Sequence, residues 1–344
     1  PRIDYTDGTA SILLEPQRTN LITHSNDFSN ASWQKVSGTI ESGFTSPDGT
    51  NNATLLSATG STNDRIQDGL GDVSGATTYS IYAKGNGVST RLNLQSADVG
   101  GIGVSISSNG VMSLFNQGTN TSYLIEEVLN GWYRISFSFV ASSGVTNYFQ
   151  IYPDSQNGTE SVYIWGAQVE ALPYATSYIP TSGAIATRLA DSVTGAGDAT
   201  TFNSTEGVLY FEGSALANDG TSRQVSLSSG SSATDKVSIN YSTTSNQLQA
   251  FVRAGGSISF NVSEVLSNIA NNNKIALKYK ANDFALWVNG IEVATNTSGN
   301  APTGLNVLDF DDADGGSDFY GKVKALAVFN EALTDSELEC LTKI

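Results

Sequence analysis

Short runs of alternating apolar and polar residues, separated by glycine-containing turns, constrain the fold of this 344-residue chain more than any other feature. The runs 78–84, 132–139 and 147–152 all alternate with a period of two. Asn130–Gly131 and Asn289–Gly290 are turn signals of the kind that joins neighbouring strands in a hairpin. Many short strands connected in this way are typical of an antiparallel sandwich or jelly roll.

The composition favours strands and turns over long helices. Charged residues make up only 15% of the chain, and Gly, Ser, Thr and Asn are abundant. Two short helices are nevertheless predicted: 334–337 matches a capping box, and 263–269 is the second candidate. The expected fold class is all-β, with two consecutive antiparallel β-sandwich (jelly-roll) domains and one or two short helices.

Three segments are distinguished along the chain. Residues 1–20 are predicted to be an extended N-terminal lead-in, residues 21–190 a first sandwich, and residues 191–344 a second one. The boundary is placed before a polar stretch rich in Gly, Ala and Thr, 191–205, after which strands resume. No short-period repeat relates the halves, so they are interpreted as different sandwiches. Because the chain begins at Pro1 rather than Met, it is interpreted as a fragment or processed product.

The charge balance argues against two classes of partner. Asp and Glu total 33 against 17 Lys and Arg, a formal net charge of -16. Such a surface repels phosphate backbones and anionic lipid, so nucleic acid and membrane insertion are not expected. The single cysteine, Cys340, excludes an internal disulfide and a cysteine-based zinc site, and its apolar setting predicts a core position.

Several motifs of the first half carry a family likeness: Leu-Glu-Pro-Gln-Arg-Thr-Asn-Leu at 14–21, Asn-Asp-Phe-Ser-Asn-Ala-Ser-Trp at 26–33, Tyr-Ala-Lys at 82–84, Gly-Trp-Tyr-Arg at 131–134, Ile-Trp-Gly-Ala-Gln-Val-Glu at 164–170 and Thr-Ser-Tyr-Ile-Pro-Thr at 176–181. They resemble a module common in bacteriophage tail and virion proteins, which looks like a carbohydrate-binding-module jelly roll. In such modules a polar sheet face is the usual glycan platform, so the resemblance implies one here.

Motifs of the second half, at 278–290, 319–324 and 332–335, resemble concanavalin A-like or laminin-G-like lectin domains, which phage fibres also carry. The two resemblances together imply a phage virion or fibre protein, located on the virion surface or extracellularly. Its partners would be host-surface polysaccharide and other virion subunits. Fibres imply a homotrimer, although the chain shows no coiled-coil heptads to support one.

Strand alternation sorts the side chains of the first domain onto two faces. The predicted core face collects Tyr79, Ile81, Leu92, Leu94, Tyr133, Ile135, Phe137, Phe139, Phe149 and Ile151. The opposite face supplies the candidate glycan-binding residues Tyr82, Lys84, Arg91, Asn93, Gln95, Trp132, Arg134, Tyr148, Gln150 and Tyr152. Aromatic rings beside such donors and acceptors suit a sugar, whose apolar side stacks while its hydroxyls hydrogen-bond. An ordinary solvated sheet face is the alternative.

Two tryptophans have their own alternatives. Trp132 belongs to a recurring motif, so structural packing competes with a role in binding. Trp287 alternates with Phe284, Leu286 and Val288, which places it away from the second core and makes it a glycan-binding candidate of the second domain.

The segment 309–318 carries closely spaced carboxylates, among them Asp309, Asp311, Asp312 and Asp314. These repel one another unless solvated or bridged, so they define a candidate structural calcium site, with a solvated acidic loop as the alternative. No other cofactor is required. The chain shows no nucleotide-binding loop and no catalytic triad motif, so it is not expected to be an enzyme.

The expected function is therefore lectin-like, non-covalent binding of host-surface glycan. Two alternatives are a purely structural virion decoration protein and a noncatalytic binding module of a polysaccharide-degrading enzyme.

Overall fold

A computed structural model describes residues 1–5, 8–153, 158–231 and 233–344. Its elements are numbered here in chain order, from β1 to β26 and with one helix, α1. The chain divides into two compact units: residues 17–189, called the first sandwich, and residues 1–16 with 190–344, called the second sandwich. Both are built from antiparallel sheets, as the alternating pattern predicted.

The first sandwich contains two six-stranded sheets. Sheet 1a has the order β11 (Met112–Gln117), β10 (Gly100–Ile106), β9 (Thr90–Ser96), β14 (Thr146–Tyr152), β7 (Arg65–Asp72) and β4 (Trp33–Val36). Sheet 1b has the order β12 (Ser122–Glu127), β13 (Tyr133–Ala141), β8 (Gly75–Gly85), β15 (Ser161–Glu170), β6 (Ala53–Ser57) and β5 (Thr39–Phe44). A separate two-stranded sheet pairs β3 (Arg18–Asn20) with β16 (Ala186–Arg188).

The core of the first sandwich draws alternate residues from both sheets. Strand β9 shows the pattern clearly, since Leu92 and Leu94 are fully buried while Arg91, Asn93 and Gln95 are only partly covered. Every residue of the predicted core face belongs to this cluster. Strict alternation thus leaves the outward side chains of each strand available for other roles.

The second sandwich contains a seven-stranded and a five-stranded sheet. Sheet 2a has the order β1 (Arg2–Asp4), β2 (Ser11–Leu14), β26 (Gly321–Phe329), β17 (Glu206–Ala215), β22 (Asn273–Lys280), β23 (Phe284–Val288) and β24 (Ile291–Asn296). Sheet 2b has the order β21 (Ser257–Val265), β20 (Gln247–Ala254), β19 (Lys236–Tyr241), β18 (Arg223–Ser228) and β25 (Val307–Asp309). The α-helix α1 (Asp335–Thr342) follows β26.

The turn between β23 and β24 confirms the hairpin predicted from its sequence. Asn289 and Gly290 both have positive φ, 52° and 83°, which is the backbone that a tight two-residue turn needs. Helix α1 is confirmed as well: the Thr334 side chain accepts a hydrogen bond from the Glu337 N–H, and the Glu337 carboxylate accepts one from the Thr334 N–H.

Two expectations need correction. The predicted helix at 263–269 does not form, because residues up to Val265 continue strand β21 and pair with β20. The N-terminal segment is not a separate lead-in, since β2 pairs with β26 at the edge of sheet 2a, and Leu14 is buried in the second core.

In the parts of the chain that the structure describes, no helix has the length and apolar character needed to cross a bilayer.

Candidate glycan-binding faces

The predicted glycan-binding residues do not share one surface. Tyr82, Lys84 and Arg134 lie on strands of sheet 1b, with Trp132 just before β13. The other six residues of the first domain lie on β9 and β14 of sheet 1a: Arg91, Asn93, Gln95, Tyr148, Gln150 and Tyr152. Alternation shows whether a side chain points into or out of its own sheet, but it does not show which sheet a strand joins. The single predicted face is therefore two faces of different sheets.

On sheet 1b the predicted residues are mostly engaged in packing. Trp132 is only 2% exposed and clusters with Ala53 and Trp165. Arg134 Nη2 donates to the carbonyl of Thr176 at 2.5 Å, and its Cζ lies 5.5 Å from the centroid of the Tyr82 ring. These contacts hold the outer side of sheet 1b together, so structural packing explains Trp132, Arg134 and Tyr82. Lys84 is partly exposed.

On sheet 1a the outward side chains form a hydrogen-bonded row of glutamines. Gln150 Nε2 donates to Gln67 Oε1 at 3.1 Å, and Gln67 Nε2 donates to Gln34 Oε1 at 3.0 Å. Gln95 lies beside Gln150 on the neighbouring strand. The row crosses β4, β7, β14 and β9, and hydrogen bonds orient the amides of Gln34, Gln67 and Gln150 against one another. The outer side of sheet 1a is called the amide face below.

Tyrosine rings flank the glutamine row on both sides. Tyr152 lies two residues beyond Gln150, with the Arg65 guanidinium carbon 5.7 Å from its ring centroid. Arg65 Nε also donates to Gln67 Oε1 at 2.8 Å, which ties the cation to the row. On the other side, Tyr148 faces Gly69, where an added Cβ would stand 3.4 Å from the ring. The Tyr148 ring thus lies over the backbone of Gly69, at ordinary contact distance from the place of a Cβ.

The amide face continues onto β10 and β11. The Arg91 guanidinium carbon stacks 3.6 Å from the centroid of the Phe115 ring, which is 48% exposed. Gly103 lies beside Asn93, and an added Cβ there would come within 2.8 Å of Asn93 Oδ1. That oxygen is buried and has no hydrogen-bond partner among the described residues. A depression of about 390 Å³ borders Arg91 and is lined by several serines, among them Ser105 and Ser113.

The sequence missed four residues of this face: Gln34, Arg65, Gln67 and Phe115. Gln34, Arg65 and Gln67 lie on β4 and β7. Strand β4 pairs with β7 and β7 with β14, and no local pattern reveals either pairing. Phe115 lies at a register shift between β10 and β11, so simple alternation does not place it. Rings, amides and guanidinium groups held together in this way can stack on a sugar and pair with its hydroxyls.

Trp287 points away from the second core, as predicted, but it is not available to a ligand. It lies under helix α1 in a separate small cluster with Tyr210 and Leu338, and it is 7% exposed. Helix α1, which the capping box predicted, therefore covers Trp287, which the alternation of the strand had placed on the outer face.

The acidic segment 309–318 is organised by its own backbone. Asp312 Oδ1 accepts hydrogen bonds from the N–H groups of Asp314 and Gly316, and Asp309 Oδ1 accepts one from Gly195 at 2.6 Å. Burial and the neighbouring carboxylates raise the pKa of Asp311. Among the described residues no three His, Cys, Asp or Glu side chains are grouped so as to hold a metal. The calcium site stays a prediction.

A comparison with protein families matches one part of the chain. Residues 214–339 match the model of the Concanavalin A-like lectin/glucanases superfamily. The matched segment covers most of sheets 2a and 2b. A comparison with curated proteins gave no match.

Solved structures with a similar course of the chain come from several organisms. A CBM40 of the Ruminococcus gnavus IT-sialidase is 17% identical, with a TM-score of 0.36, over 44% of this chain and 96% of that one. Sheep galectin-11 is 10% identical, with a TM-score of 0.30, over 41% and 100%. A heptameric SAP-like pentraxin from Limulus polyphemus is 13% identical, with a TM-score of 0.34, over 42% and 72%. Likeness at this level is no sign of a shared ligand.

Proposed function

We propose that this protein binds glycans of a host cell surface without covalent chemistry, as a surface component of a phage virion or fibre. The observation that carries the proposal is the amide face, where hydrogen-bonded glutamines lie between tyrosine rings. The family match of residues 214–339 supports a lectin-like role for the second sandwich. The phage setting rests on the resemblance of the motifs in the first half of the chain.

The amide face suits an extended saccharide because its polar groups are already oriented. Gln67 is 8% exposed and held by Gln34, Gln150 and Arg65 at the same time, so little side-chain freedom is lost when a ligand binds. Tyr148 and Tyr152 are partly exposed and supply surfaces for stacking. A face of this kind binds each sugar weakly, and a homotrimer with several copies in one virion would raise the overall avidity.

The proposal is tested by binding the purified protein to an array of bacterial polysaccharides, once with calcium and once with EDTA. Tyr148→Ala and Tyr152→Ala are the site variants. Tyr123→Ala is the matched control, since Tyr123 is a 43% exposed tyrosine on sheet 1b. We expect a specific signal that both site variants reduce at least about tenfold and the control retains. A signal that all three variants retain would show that the amide face is not the site.

A structural decoration role is the second candidate. Leu124 and Val140 on sheet 1b are 50% and 72% exposed, and Leu129 in the loop between β12 and β13 is 58% exposed. Exposed apolar side chains of this kind suit packing against a neighbouring subunit. A blank array with folded, monodisperse protein would favour this role over glycan binding.

A further inference from the structure

The outer side of sheet 2b forms a second polar face, in the sandwich where the sequence suggested only Trp287 for glycan binding. Apart from Arg223 at the start of β18, the inward residues of β18, β19 and β20 are apolar, for example Val225, Ile239 and Val252 of the core. The outward ones are polar with one exception, the partly exposed Phe251. The outer side of sheet 2b is called the Phe251 face below.

Strand pairing arranges the Phe251 face in three rows. The central row contains Ser226, Ser238, Phe251 and Asn261, in register across β18, β19, β20 and β21. The row on one side contains the amides Gln224, Asn240 and Gln249. The row on the other side contains Ser228, Lys236 and Arg253. The aromatic ring thus lies between a row of amides and a pair of cations.

The two cations converge on the ring. Lys236 Nζ lies 5.6 Å and the Arg253 guanidinium carbon 5.2 Å from the centroid of Phe251. Lys236 is only 7% exposed, which is an unusual position for a lysine. Burial lowers its pKa although Asp312 acts in the opposite direction. Lys236 Nζ donates to the Asp312 carbonyl at 3.4 Å, and the charges of Asp311, Asp312 and Asp314 act on it. An anionic ligand between Lys236 and Arg253 would reduce the repulsion that remains between the two cations.

A depression of about 280 Å³ opens over these residues. Gln224 lines it and is 7% exposed, and its Nε2 has no hydrogen-bond partner among the described residues. A buried amide donor left unpaired is costly, and an oxygen of a bound molecule would satisfy it. Asp312 lines the same depression, where its carboxylate is an acceptor for hydroxyl groups.

We propose that the Phe251 face is a second saccharide-binding site and that it takes a sugar bearing a carboxylate. The ring of the sugar stacks on Phe251, and the carboxylate lies between Lys236 and Arg253. Gln224 and the amides of its row pair with hydroxyl groups. Because the site lies in the other sandwich, it does not depend on the amide face.

Because the rest of the protein is acidic, binding of a carboxylated sugar would require a specific site. With a net charge of -16, the protein repels anions in general, so nonspecific attraction would not account for binding of an acidic sugar. At 0.15 M salt the repulsion is screened beyond about 8 Å, while the contacts at Lys236 and Arg253 act at shorter range. Binding should therefore persist at physiological salt.

The test uses isothermal titration calorimetry of the full chain with tetramers of galacturonate, glucuronate and mannuronate. Each tetramer is compared with its carboxyl-reduced form. We expect at least one acidic tetramer to bind and its reduced form to bind at least about tenfold more weakly, since a charge-assisted hydrogen bond is lost. Phe251→Ala and Arg253→Gln should each weaken binding by about tenfold or more. Arg253 is partly exposed, so its variant still tests the site if Phe251→Ala fails to fold.

Two control variants distinguish the Phe251 face from the remaining surfaces of the protein. Lys274→Gln removes a cation from sheet 2a of the same sandwich and should leave the affinity unchanged. Tyr123→Ala should also leave it unchanged, because Tyr123 lies on sheet 1b, outside both the Phe251 face and the amide face. The proposal is overturned if no acidic tetramer binds, if acidic and reduced forms bind equally, or if either control weakens binding as much as Arg253→Gln does.

Discussion

Gln150 Nε2 donates to Gln67 Oε1 at 3.1 Å, and this bond joins β14 to β7 through their side chains as well as through their backbones. Gln67 accepts from Gln150 and Arg65 and donates to Gln34, so it is the centre of the amide face. Removing it leaves three side chains without their common partner. The glutamine row is thus a single network rather than a set of independent amides.

The first prediction concerns this centre. Gln67→Ala should lower the free energy of unfolding by about 1–3 kcal/mol, because partly buried groups lose their hydrogen bonds. It should also weaken glycan binding at the amide face, since Gln34 and Gln150 are no longer oriented. Urea denaturation and array binding measure the two effects. Gln17→Ala, at an exposed glutamine, is the control and should change neither quantity.

The second prediction concerns a buried ion pair. Arg223 is 1% exposed, and its Nη2 lies 2.8 Å from Asp219 Oδ1. Although burial raises the pKa of Asp219, the hydrogen bond and charge of Arg223 outweigh it and the pKa is lowered. Asp219→Ala should cost about 3–5 kcal/mol, because it leaves a buried guanidinium without its anion.

The matched control is a second ion pair, with the same N···O distance but with side chains that are more exposed. Lys280 Nζ and Glu206 Oε2 are also 2.8 Å apart, but their side chains are 48% and 31% exposed. Glu206→Ala should therefore change the urea midpoint far less than Asp219→Ala. Equal shifts for the two variants would show that burial does not decide the strength of these pairs.

The third prediction concerns pH. Asp68 is 6% exposed and pairs with Trp33 and Phe149 across the sheet, and burial raises its pKa to about 6. The folded state therefore holds this proton more tightly than the unfolded state, whose pKa is close to the model-peptide value of about 3.9. The stabilising contribution is complete below that value and is lost as the pH rises through about 6.

Asp68→Asn removes this titration. Relative to the variant, the wild-type protein should lose up to about 3 kcal/mol of stability between pH 4 and pH 7. Urea denaturation at several pH values measures the difference between the two proteins. A constant difference across this range would contradict the raised pKa.

Local alternation predicted well which residues point into the core and which point outward. It failed to predict which sheet each strand joins, because that depends on strands far away in the sequence. The core of the first sandwich, including Tyr79 and Phe149, follows directly from period two. Tyr82 and Tyr152 were assigned to one face, although β8 and β14 belong to different sheets. Strand order depends on pairings between residues far apart in the chain, and a local pattern does not contain them.

The second source of error was burial that depends on which helix or strand packs against a residue. Cys340 was expected in the core because of its apolar neighbours, yet it is exposed. Helix α1 instead buries Leu338. The edge pairing of β2 with β26 was missed as well, because the two strands are separated by most of the sequence. The Phe251 face shows the same limit, since its rows appear only once β18 to β21 are placed side by side.

The last prediction tests how helix α1 covers Trp287. The Thr334 hydroxyl and the Glu337 carboxylate form a reciprocal cap, so Thr334→Ala should destabilise the helix by about 1 kcal/mol. The tryptophan beneath should then become more accessible to iodide. Stern–Volmer quenching of Thr334→Ala should rise above that of wild type, and the rise should vanish in the Trp287→Phe background. If the rise persists there, another tryptophan responds, and the cap does not control access to Trp287.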